Sequence, residues 1–194
     1  MWVRRAAIRP VPAFAQVPAH VLGKIEDELS EDGDATRAEL DKAFERFEAT
    51  QGPLSERISE ALGKLKDETA LALGYFLTLA VWLGFERTFE DELGEVSALG
   101  LSGVEESLTL DEEIRIADPA EVVDSDDVVA MEQPHLIHFV HEHVDAALEA
   151  HAEDVDVDDV HAIYRVVLVE ILALSYAVKP PKHVDQAGTT EFTA

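Results

Sequence analysis

TALALGYFLTLAVWLGF, from Thr69 to Phe85, is seventeen residues without a charge. Its length falls at the lower end of what crosses a bilayer. However, Lys64, Lys66, Asp67 and Glu68 crowd one end and Glu86 the other, and no basic cluster favours one membrane face. A helix apolar on every side is also what the centre of a soluble bundle requires, and that is the reading adopted, with no membrane involved. Ala70, Gly74 and Thr78, and separately Ala80 and Gly84, recur at four-residue spacing, so another helix can approach closely.

A second run supplies the partner. IYRVVLVEILALSYAV, Ile163 to Val178, is broken only by Arg165 and Glu170. Its many β-branched residues would suit a strand, but its length favours a buried helix. Lys179-Pro180-Pro181 ends it, and Asp156-Val-Asp158-Asp159 opens it with capping chemistry.

Working outward, Pro18 to Leu29 predicts a short first helix, and Asp34 caps a second with Ala38, Leu40, Ala43, Phe44 and Phe47 at helical spacing. Gln51-Gly52-Pro53 separates it from a third helix spanning about Leu54 to Leu93, with a break near Asp67 allowed. Leu93 to Gly103 reads as a glycine-punctuated connection. Residues 105–118 read as a short irregular or two-strand insert, because Leu108-Thr109-Leu110 and Ile114-Arg115-Ile116 alternate, although Thr109-x-x-Glu112 also has capping-box spacing. A fourth helix runs from about Asp126 to Ala150, with Pro134 kinking it or restarting it behind Gln133. The expected fold is therefore all-α: one domain over residues 18–178, a bundle of about five helices with two nearly all-apolar helices at its centre. Residues 1–17 read as a flexible basic arm, since Arg9, Pro10 and Pro12 interrupt the apolar core a signal peptide needs. Residues 179–194 read as an extended tail, and a cytoplasmic location is expected. The apolar runs exceed what two short amphipathic covers would bury, so a homodimer is expected as well.

Charge is the other organising feature. The net charge is −26, and from Thr88 to Tyr164 Arg115 is the one positive residue against twenty-three acids. Between Lys24 and Glu68 fourteen acids are offset by seven bases. General acidity of this kind also marks salt-adapted proteins, but solubility alone gives no reason to spare residues 24–68. A one-signed field attracts basic surfaces and repels nucleic acid and anionic lipid, so direct nucleic-acid binding is not expected. The chain has no cysteine, which rules out disulfides, thiolate metal sites and a cysteine nucleophile. Nor does it carry a nucleophile motif, a phosphate-cradling loop or a dinucleotide fingerprint.

Glu132, His135, His138, Glu142 and His161 are the candidate metal ligands, because imidazole and carboxylate together bind transition ions. Glu132-x-x-His135 and Asp158-x-x-His161 have the spacing used in di-iron carboxylate bundles. Pro134 inside the first unit and the helix-start position of the second depart from that pattern, and no family is assigned. Asp154-x-Asp156-x-Asp158 imitates half an EF-hand loop, but Asp159 and Arg165 stand where its glycine and glutamate belong. Glu170, flanked by Val169 and Ile171, is costly to bury unless paired or protonated, and His143 or Arg165 is its expected partner.

These features favour a non-enzymatic interaction or assembly protein whose acidic region, residues 88–164, docks a basic partner surface; no cofactor is needed. Two alternatives are a carboxylate–histidine metal protein and an inhibitor that mimics nucleic acid. Six of the eight histidines lie within 88–164, and protonating them near pH 6 removes up to about a quarter of that region's negative charge. Partner binding is therefore expected to vary between about pH 5 and 8; a flat profile would exclude a sensing role.

Overall fold

The computed structural model describes residues 7–29, 34–117, 125–151 and 155–181, the side chains of 34–37 excepted. Among them are eight α-helices: α1 (Ala19–Leu29), α2 (Asp34–Thr50), α3 (Gly52–Leu62), α4 (Glu68–Phe89), α5 (Ala98–Ala117), α6 (Ser125–Glu132), α7 (Pro134–Ala150) and α8 (Val157–Ala177). The all-α expectation holds, but the helix number exceeds the expected five for local reasons. Gly63 and the turn to Asp67 divide the long third helix, and Asp67 then caps α4 by accepting a hydrogen bond from Ala70 N at 2.6 Å. Pro134 starts a new helix rather than kinking an old one, with Gln133 at the N-cap position.

The third difference is a correction. Residues 105–117 are not the expected irregular or two-strand insert, because Ala98–Ala117 is one continuous helix; Asp118 lies outside the described residues. Ser97 starts it, its Oγ accepting from Gly100 N at 3.1 Å. Buried Leu101, Val104, Leu108 and Asp111 recur every three or four residues, so the helical period prevailed over the period-two alternation near Leu110. Thr109 is mid-helix and caps nothing; its hydroxyl donates to Glu105 O at 2.9 Å.

Helices α4 and α8 pack side by side and run parallel. At their N-terminal ends Asp159 Oδ2 accepts from Lys66 N and Asp67 N, at 2.8 and 2.9 Å, while Asp67 Oδ2 accepts from Asp156 N at 3.3 Å. Each helix thus helps cap the other, and acids gather where two positive dipole ends meet. Two turns into α4, a Cβ on Gly74 would press on the end of the Leu62 side chain and, more lightly, on Ile163. At the C-terminal ends an antiparallel bridge joins Leu93 to Val178, with Gly94 N donating to Ala177 O at 3.0 Å and Lys179 N to Glu92 O at 2.8 Å. The small-residue spacing read from the sequence therefore marks real helix contacts: a Cβ on Gly84 would likewise meet Val17 and Leu22.

Both central helices are long and apolar enough to cross a membrane by length and composition; here 61% of each apolar window is buried among other helices. Helices α1, α2, α3 and α7 pack on α4, and α3, α5 and α6 pack on α8. Much of the apolar surface of the two central helices is thus packed within one chain.

Residues 7–17, placed in the arm by the sequence reading, lie on the body and bury Ile8, Val11, Ala15 and Val17. Arg9 stacks its guanidinium 4.0 Å from the Tyr176 ring centroid, and Tyr176 Oη donates to Arg9 O. Met1–Ala6 and Lys182–Ala194, most of the expected tail, lie outside the described residues.

Two buried glutamines hold this arrangement, each at a helix break just ahead of a proline. Gln51 accepts from Val96 N at 2.9 Å and donates to Gly94 O at 3.0 Å. Gln133 accepts from Val17 N at 3.1 Å and donates to Ala15 O at 2.6 Å and Ser175 Oγ at 2.9 Å. Replacing Gln133 with leucine orphans buried backbone groups at Ala15 and Val17, and is expected to cost about 3 kcal/mol. Gln16→Ala, which removes an exposed bond to Glu132 O, should cost under about 0.5 kcal/mol. Urea unfolding midpoints compare the two; equal effects would remove the role assigned to Gln133.

Candidate functional site

Metal ligands must converge, and the five candidates do not. His138 Nε2 lies 3.5 Å from Glu142 Oε1 on the outer face of α7, with side chains 73% and 62% exposed. His135 and His161 are exposed, and Glu132 is half-buried at the end of α6. Among the described residues no group of three or more histidines and carboxylates is arranged to hold a metal ion. Each three-residue step turns the helix face by about 60°, so His135 and His141 lie about 120° apart around α7.

Two histidines do acquire defined surroundings. His141 Nε2 and Tyr164 Oη share a 2.7 Å hydrogen bond, their rings stack at 5.6 Å, and Tyr164 Oη donates to Asp126 Oδ2 at 3.4 Å. Burial, and then the nearby Asp126 carboxylate, push the Tyr164 phenol well above its ordinary range, so it stays a neutral donor. His143 lies against Phe139 and Phe76, with ring centroids 4.2 and 4.8 Å away. Its Nδ1 is 2.8 Å from Phe139 O, an acceptor only, so that nitrogen carries a proton, and Nε2 lies 3.7 Å from Glu26.

Neither expected partner reaches Glu170. His143 is engaged as above, and Arg165 pairs with Glu112 and donates to Thr109 Oγ1 at 3.0 Å. Glu170 is fully buried, and among the described residues neither carboxylate oxygen has a hydrogen-bond partner. It shares the face of α8 that carries Ile163, Val167 and Leu174, the side on which Ile163 meets Gly74. Burial alone pushes its carboxyl well above the ordinary 4.5 and favours the neutral acid.

The acidic region has a different organisation. Arg115, its sole fixed cation, is internal, with a side chain only 12% exposed. Its Nε and Nη2 donate to Asp111 Oδ2 at 2.7 and 2.6 Å. Ser125 Oγ donates to the same oxygen at 2.7 Å, and Ala7 N to Asp111 Oδ1 at 3.1 Å. This cluster joins α5, α6 and the N-terminal segment, and it consumes the positive charge. Carboxylates at Glu90, Asp91, Glu95, Glu106, Glu113, Glu142, Asp145, Glu149 and Asp158 remain exposed.

Sequence reading missed Asp111, Ser125 and Tyr164. The signal for Asp111 was present, since it continues the Leu101-Val104-Leu108 spacing and precedes Arg115 by one helical turn. Treating 105–118 as a strand pair hid it. Tyr164 and Asp126 carried no such signal, because their meeting depends on how α6 and α8 pack. Comparison with protein-family models, curated proteins and solved structures gives no match.

Glu170 yields a pH prediction. A carboxyl whose folded value is raised stabilises the fold fully below the unfolded value and loses that contribution as pH rises toward the folded one. Stability from Glu170 should therefore fall from about pH 4.5 upward, by at most about 1.4 kcal/mol per pH unit. Glu170→Leu should remove this slope and raise stability near pH 7.5 by about 1–3 kcal/mol; Glu170→Gln should remove the slope with less gain. Urea titrations from pH 5 to 8 measure both, and a slope unchanged in Glu170→Leu would refute the assignment.

Proposed function

We propose that this chain is a non-enzymatic interaction or assembly protein whose acidic region, residues 88–164, docks a basic partner surface. One observation carries the reading. The only lysine or arginine in that region, Arg115, is spent internally on Asp111, so the outward surface built from α5, α6 and α7 carries carboxylates with no fixed cation from its own sequence. Salt bridges from elsewhere neutralise only part of it: Arg57 takes Glu105, and Arg165 takes Glu112. Exposed like charges left uncompensated raise the free energy of the isolated molecule, and a basic partner relieves that repulsion. Such docking works through the long-range field, so it demands no catalytic group and no cofactor.

Binding of a lysine-rich peptide, followed by fluorescence anisotropy, should weaken at least tenfold as salt rises from roughly 0.05 to 0.5 M. An affinity indifferent to salt would discard the electrostatic reading.

A further inference from the structure

We draw no further inference here: the strongest candidate, the cavity between α3, α5 and α8 lined by Leu54, Ile58 and Val169, carries nothing, because Arg57 and Arg165 beside it are already paired with Glu105 and Glu112 and nothing in the structure shows what occupies it.

Discussion

Close parallel contact between α4 and α8 is the constraint on which the rest of the molecule depends. Gly74 lies in this contact, with Leu62 of α3 and Ile163 of α8 over the place a side chain would take. Parallel packing then places both N-termini together, where the aligned dipoles would repel. Asp67, Asp156 and Asp159 turn this into a mutual cap, their oxygens accepting backbone N–H groups from both segments. Two backbone hydrogen bonds held by Gln51 join the start of α3 to the segment just beyond α4, so the far end of the pair is secured as well.

Parallel neighbours also need a long return path. The chain must travel from the end of α4 to the start of α8, the length of a helix away, and α5, α6 and α7 fill that crossover. Nearly all of the acidic region lies within it. The crossover forms an outer layer, in contact with the core through one face and with solvent through the other, and its outer face carries the carboxylates. Regional charge and topology are thus linked: the segment that closes the parallel pair presents the negative surface.

Not all carboxylates play the same part. Asp111 is buried under Arg115 and Ser125, and Asp67 and Asp159 satisfy helix termini. Glu105 and Glu112 lock α5 to α3 and α8. Glu170 stands apart as a buried acid with no partner among the described residues, which the fold tolerates by favouring its neutral form. Those left over, Glu106 and Glu113 among them, are exposed to solvent. Composition counts all of them alike; only their partners sort them into structural and exposed.

Local chemistry settled much of this protein before any packing was known. Long apolar runs marked α4 and α8, capping aspartates and prolines marked most helix ends, and four-residue spacing of small residues marked where helices touch, because each is a property of neighbours along the chain. The uneven charge was equally legible. What packing alone decided is which of several adequate side chains meet. Two glutamates one residue apart, Glu105 and Glu106, look the same in sequence, and a 100° turn gives one an arginine and the other water. For the same reason the histidines of α7 suggested a metal site around which no group of ligands gathers among the described residues, and Glu170 was expected to find a partner that packing directs elsewhere. A helix fixes where its side chains point relative to each other, and only the packed neighbours fix what lies there.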